Sequence, residues 1–338
     1  MLQGAQTWVF NNPPVILSTG VVGGPFEKDC RLALDFDKFH DDLWMGQDSY
    51  EKAQRILLED AIQIALTKKA FKEEDVQFFL SGDLINQLTP TTFAARTNQI
   101  PHVGLFSACA VSAEGLALAA MILNQGGANY IITGAASHNA SAEKQFRYPT
   151  EYGGQKPPTA QWTVTGAGVG LLGQGAIVNG SYPRITSATI GKVVDMGVSD
   201  PFNMGAAMAP AAVDTILRHL SDLNIAADHY DLIITGDLAE VGRNASLALF
   251  ADKRIPMSEN KFHDCGLWIY KDEQEVFAGA SGPGCSAVVF YGHLMKQMEA
   301  GVYKRILLVA TGALLSPLSF QQKETIPCIA HAVAIEYV

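Results

Sequence analysis

The chain has 338 residues, 48% of them hydrophobic and 17% charged, with a formal net charge of −10. That balance belongs to a well-packed globular protein, built as one large domain or two medium ones. No basic stripe is present, which excludes nucleic acid as a partner, and no apolar run is long enough to span a bilayer.

In chain order, the opening stretch MLQGAQTWVFNNPP lacks the basic start and apolar core of a secretory signal, so cytoplasmic synthesis is expected. SYEKAQRILLEDAIQIALTKKA (49–70) has helical apolar spacing, and its ILLEDAIQIAL stripe is core packing. Val76 to Leu80 (VQFFL) reads as a buried strand. Residues 110 to 125 read as a helix with Leu116, Ala119, Ala120 and Leu123 on one face, stopped by Gly126-Gly127. Tyr130 to Thr133 (YIIT) is a strand, and a Gly-rich strand pair follows across 165–195. MGAAMAPAAVDTILRHLSDL (204–223) is a second long helix, and Asp231 to Thr235 and Arg305 to Ala310 are further buried strands. Strands alternating with helices predict an α/β fold around a largely parallel sheet.

The chain also echoes itself. VQFFLSGDL (76–84) resembles YDLIITGDL (230–238), and the segment 107–137 resembles 282–316, each with a cysteine, a helix, a glycine stop, a strand and then TGA. Two related halves, 1–180 and 181–338, are the economical reading, with a pocket between them at the carboxyl ends of the strands.

Five cysteines are present, Cys30, Cys109, Cys265, Cys285 and Cys328, with no CxxC spacing for zinc or a disulfide scaffold. Cys109 stands apart from the rest. It lies at the first turn of the 110–125 helix among the small residues Ser107, Ala108, Ala110 and Ser112. Free N–H groups and the helix dipole there are expected to favour a thiolate. On this ground Cys109 is a candidate nucleophile.

SACAVSAEGLALAAMIL followed by YIITGAAS resembles the nucleophile segment of the thiolase and ketoacyl synthase superfamily. More specifically, the chain resembles the stage V sporulation protein AD family along nearly its whole length, including 149–168, FHDCGLWIY (262–270) and GASGPGCSAVVFYGHLM (279–295). The resemblance implies a thiolase-like five-layer αβαβα fold with two pseudo-repeated halves. It also implies a non-enzymatic role: binding dipicolinic acid (pyridine-2,6-dicarboxylate), alone or as its calcium chelate, for uptake into the developing spore. Other membrane proteins of the spore dipicolinate channel are the implied partners, with peripheral association at the spore inner membrane. No cofactor is implied.

Enzymes of the superfamily supply a His after one strand of the second half and a His or Asn in a Gly-rich loop. Here Asp237 stands at the first position, and Ala280 and Ser281 stand near the second. A carboxylate there repels a developing oxyanion, so carbon–carbon bond formation is not expected. The alternative is an acyl-thioester transferase with Cys109 as nucleophile and an unrecognised partner; His138, after the YIIT strand, is the nearest imidazole. For ligand binding, Cys109, Asp83, Ser137, His138, Arg147, Asp237 and Ser281 are the candidates. Arg147, and Lys156 beside it in the Pro/Gly-rich segment 147–162, are the cations for a carboxylate, while Asp83 and Asp237 end related strands and suit calcium. By resemblance the chain forms a homodimer through a central strand, with YIIT (130–133) or its neighbours as the candidate. GAGVGLLGQG (166–175) is set aside as a nucleotide loop, because it falls within a strand pattern.

Overall fold

A computed structural model describes residues 1–146 and 156–337. The N-terminal strands β1 (Leu2–Gln3) and β2 (Thr7–Val9) precede β3 (Val15–Gly23) and the short β4 (Lys38–Phe39). Then come α1 (Tyr50–Thr67), β5 (Phe78–Gly82), α2 (Thr89–Asn98), β6 (His102–Gly104), α3 (Val111–Asn124), β7 (Tyr130–Ser137), α4 (Asn139–Phe146), β8 (Trp162–Thr163) and β9 (Gly166–Gly173). The second half holds β10 (Arg184–Ile190), α5 (Met204–Leu223), β11 (Leu232–Thr235), α6 (Ala239–Asp252), β12 (Phe262–Asp264), α7 (Cys265–Trp268) and β13 (Ala280–Ser281). It closes with α8 (Pro283–Val288), a π-helical turn Val289–Leu294, α9 (Met295–Glu299), β14 (Arg305–Ala313), α10 (Pro317–Gln321) and β15 (Cys328–Glu336).

The main strand path runs β12-β11-β14-β15-β10-β3-β9-β7-β5-β6. Its two arms repeat each other. In the first, β5 pairs parallel with β6 and β7, and β9 lies antiparallel between β7 and β3. In the second, β11 pairs parallel with β12 and β14, and β15 lies antiparallel between β14 and β10. The N-terminal strand β2 crosses over and pairs with β10. The two-half pattern in the sequence therefore corresponds to a repeated sheet topology.

Five layers follow from which faces are apolar. On α1, Ala53, Leu57, Leu58, Ala61, Ile62 and Ala65 are buried, the spacing of one helix face, and they pack on Phe79, Val169 and Leu171. Ser49 caps this helix by accepting from the Lys52 N–H. On the opposite outer face, Met208, Ala212 and Ile216 of α5 pack on Ile233, Leu307 and Val309. Between the arms, Leu116, Ala120 and Leu123 of α3 and Val288 and Phe290 of the α8 segment fill the central layer with Ile131, Leu308 and Val333. Each such fully buried Leu or Ile contributes roughly 1.5–3 kcal/mol of burial. At the centre the Ser112 and Ser286 hydroxyls meet at 2.7 Å, joining α3 to α8. Gly168 allows α8 to lie directly on β9: a Cβ there would stand 2.4 Å from the Ala287 carbonyl oxygen.

The predicted strands are all present. The first begins two residues later than expected, at Phe78, and Tyr130–Ser137 and Arg305–Ala313 run past their apolar runs into small residues. Gly126 ends α3 as expected, in the left-handed region at φ 73°, with Gly126 and Gly127 donating to the Leu123 and Ile122 carbonyls. Of the strands expected to carry a dimer contact, YIIT itself is not an edge. YIIT belongs to β7, which is paired along one side with β5 and along the other with β9, so it offers no free edge to a second copy. The edge of that arm is β6.

Candidate functional site

Two turns that bring residues from both halves together build the site. Ala108 sits in the left-handed region at φ 51°, a strained position for a residue with a Cβ, and it turns the chain sharply before Cys109. Cys109 then lies in a single 3-10 turn, Ala108–Ala110, that leads into α3. From the second half, Gly282 at φ 94° makes the corresponding turn ahead of α8. It is tightly enclosed: a Cβ at Gly282 would stand 2.8 Å from the Ser137 hydroxyl.

Asp237 follows the end of β11 and meets both turns. Its carboxylate accepts from the Thr311 hydroxyl at 2.8 Å, from the Gly282 N–H at 3.0 Å and from the Cys109 thiol. Gln161 fixes the backbone around it, donating to the carbonyls of Asp237 at 2.7 Å and Ala280 at 3.2 Å. Burial pushes the Asp237 carboxyl up to about 7, against the pull of the Cys109 and Thr311 donors. Burial also pushes the Cys109 thiol well above its ordinary range, and the adjacent Asp237 charge adds to this. The expected stabilisation of a thiolate by the helix end is thus reversed: burial first, and the neighbouring carboxylate second, outweigh the backbone N–H groups. Cys109 is the one partly exposed cysteine, and the other four are buried.

The remaining candidates separate. Ser137 is beside the site, donating to the Val164 carbonyl at 2.7 Å and accepting from the Gly284 N–H at 3.1 Å. Ser281 is next to Gly282 in β13, which pairs with Trp162 and Thr163 of β8. Asp83 closes its own turn, accepting from the Ile85 and Thr91 N–H groups and the Thr91 hydroxyl, so it caps rather than faces Asp237. Burial raises it to about 6. His138 is anchored elsewhere through one nitrogen: its Nε2 meets the Leu43 carbonyl at 2.9 Å and its ring stacks on Tyr50, while its buried Nδ1 has no hydrogen-bond partner. Burial lowers it to about 4. Arg147 lies outside the described residues.

All eight histidines form hydrogen bonds elsewhere: His40 with Asp60, His102 with Phe79, His138 with Leu43, and His219 with Thr189 and Tyr230. His229 meets Arg305, His263 meets Asn260, His293 meets Asp35, and His331 meets Gly191. Asp264, at the end of β12, accepts from Thr235, Leu238, Ala239 and Gly266 and caps α7. Among the described residues no cluster of three or more His, Cys, Asp or Glu side chains could hold a metal ion. The sequence reading missed Gln161, Thr311 and Gly282. None carries a titratable group, and only the fold brings them to Asp237.

A model of the stage V sporulation protein AD family matches residues 4–336. Stage V sporulation protein AD of Bacillus subtilis (strain 168) is 50% identical over 335 residues, spanning 99% of this chain and 98% of that protein. Among solved structures, cerulenin-bound OleA of Xanthomonas campestris superposes with a TM-score of 0.62 at 14% identity, covering 97% of this chain and 98% of that one. The 3-oxoacyl-(acyl-carrier-protein) synthase III of Aquifex aeolicus VF5 superposes with a TM-score of 0.57 at 12% identity, covering 96% and 100%. At those identities the two enzymes share the fold, which is thiolase-like.

Proposed function

Because the chain belongs to the stage V sporulation protein AD family, with a thiolase-like fold, we propose that it binds dipicolinic acid in the pocket at Cys109 and Asp237 without catalysis. The Cys109–Asp237 contact carries this reading. A thiol kept protonated by burial and by the carboxylate charge beside it, with each imidazole of the described residues hydrogen-bonded to a partner other than Cys109, has no imidazole to take its proton, which speaks against acyl transfer. On this reading the ligand lies against the turns at Cys109 and Gly282.

Charge defines the form of the ligand. Free dipicolinate is a dianion and is repelled by an ionised Asp237; its one-to-one calcium chelate is neutral and is not. The calcium chelate is therefore the favoured form where Asp237 is ionised, and the free dianion binds best where Asp237 is protonated. The chain works beside membrane proteins of the spore dipicolinate channel as a peripheral partner. No helix among the described residues is long and apolar enough to cross a membrane, so those partners supply the passage itself. A homodimer through the β6 edge is part of the same proposal: Val103 on that strand is 43% exposed and Phe106 just beyond it is 58% exposed.

Equilibrium dialysis with dipicolinate, with and without calcium, tests the binding; no retention at millimolar ligand would sink it. Intact-mass analysis after incubation with acyl-CoA thioesters tests the alternative acyl-transfer role. The unmodified mass is expected, and a Cys109 adduct that turns over would establish the enzyme instead.

A further inference from the structure

The ribbon of β8 and β13 lies beside the site. Ala280 pairs with Trp162 and Ser281 with Thr163, while Gly282, the next residue, donates to Asp237. Next to this pairing, Gln161, which holds the Asp237 carbonyl, bridges to Phe277. Three features meet there. Lys156 places its ammonium 5.3 Å from the Trp162 ring centroid and 5.8 Å from that of Phe277. It is paired with Glu143 of α4 at 2.8 Å, and both side chains are largely covered, at 17% and 16% exposure. Phe277 is 46% exposed and holds φ 58°, a conformation that bulky residues adopt at a steric cost. The buried Trp162 indole N–H has no hydrogen-bond partner. A strained, exposed aromatic ring beside a half-buried cation and an unpaired donor is a poor solution for packing alone.

We propose that this niche is the receiving end of the Cys109 pocket: an aromatic carboxylate displaces Glu143 from Lys156 and lays its ring on Phe277. Glu143 is the internal placeholder, keeping the ammonium neutralised until a ligand carboxylate competes for it. The aromatic walls weaken hydration of the cation and so strengthen its pairing with whichever carboxylate is present. For a dianion bound for a site that contains Asp237, a cation on the approach offsets the repulsion further in. This inference rests on the binding reading above and names the residues that select its ligand.

Calorimetric titration of pyridine-2,6-dicarboxylate into the full chain and into K156Q, K156R, E143Q and F277A tests it. K156Q is expected to weaken binding by about tenfold or more, as for loss of one charge-assisted contact, and K156R to keep most of it. F277A is expected to weaken binding with the cation intact. E143Q is expected to tighten binding several-fold, because the competitor is gone. A purely structural Lys156–Glu143 pair makes the opposite forecast, since breaking it from either side would weaken binding alike. That outcome, or unchanged affinity in K156Q, overturns the proposal while leaving dipicolinate binding in place. Failure of the unsubstituted chain to bind overturns the functional reading instead, and this niche with it.

Discussion

The Cys109 thiol donates to the Asp237 carboxylate; burial raises both groups, and the carboxylate's charge raises the thiol further while the thiol's donation pulls the carboxyl back down. A nucleophilic cysteine in this fold would face a base that takes its proton. Here it faces a group whose charge opposes losing it. The thiol is reachable but quiet, and the prediction is direct. Alkylation of Cys109 by iodoacetamide near neutral pH, followed by intact mass, is expected to be slower than for a free thiol. D237N removes the charge and keeps the shape, and should speed alkylation by about tenfold or more, the equivalent of one pKa unit returned to the thiol. Equal rates in both proteins would show that Asp237 does not govern the thiol.

Binding should depend on pH through the same carboxyl. Asp237 is held up to about 7, so it is largely neutral below that and charged above it. Affinity for calcium-free dipicolinate is expected to fall as pH rises past this point, by no more than about tenfold per pH unit, the limit for one linked proton. D237N should flatten the profile, and the calcium chelate should show little slope in either protein. Titrations between about pH 6 and about pH 8 read this out, and an affinity that rises with pH would contradict it.

Glu27 gives the fold its own pH dependence. Its Oε1 accepts from the Tyr270 hydroxyl at 2.5 Å and the Thr165 N–H at 3.0 Å, and its Oε2 is buried without a partner. Burial outweighs those donors and raises the carboxyl from 4.5 to about 7. The folded chain therefore keeps this proton longer than the unfolded one. The stability so conferred is complete below the unfolded value and lost as pH climbs through 7, on the order of 3 kcal/mol at most. Urea denaturation at about pH 5 and about pH 8 should show the loss, and E27Q should show less of it. An identical pH profile in E27Q would remove Glu27 from the account.

The contact between Gly168 and the Ala287 carbonyl predicts a packing cost. G168A has to push α8 away from β9 across the central layer. A loss of about 1–3 kcal/mol is expected by chemical denaturation. Less than about 0.5 kcal/mol would mean that the two elements separate readily.

The layout of the fold was legible because burial writes itself into residue type. The runs at 130–133, 231–235 and 305–310 are apolar on both faces, as strands covered on two sides must be. The repeat was legible too, but its register was not. With Ser81-Gly82-Asp83 set on Thr235-Gly236-Asp237, strand pairing places Gly134 on Val309 and hence Ala136 on Thr311. The identical strings Thr133-Gly134-Ala135 and Thr311-Gly312-Ala313 thus occupy different places, and only Thr311 reaches an aspartate. Asp83 and Asp237 looked equivalent for the same reason. One closes a turn on Thr91 and the other joins the two halves, a difference decided by neighbours far away in sequence. The tendency of a helix end to lower a thiol pKa was judged from local residues alone, without the carboxylate that the second half brings beside Cys109.

The central claim is that this pocket binds and does not react. Calorimetric titration of calcium dipicolinate into the unsubstituted chain, with C109A alongside, tests it most directly. Saturable one-to-one binding, kept within a few-fold in C109A, is the predicted result. No heat of binding at millimolar ligand in the unsubstituted chain would contradict it.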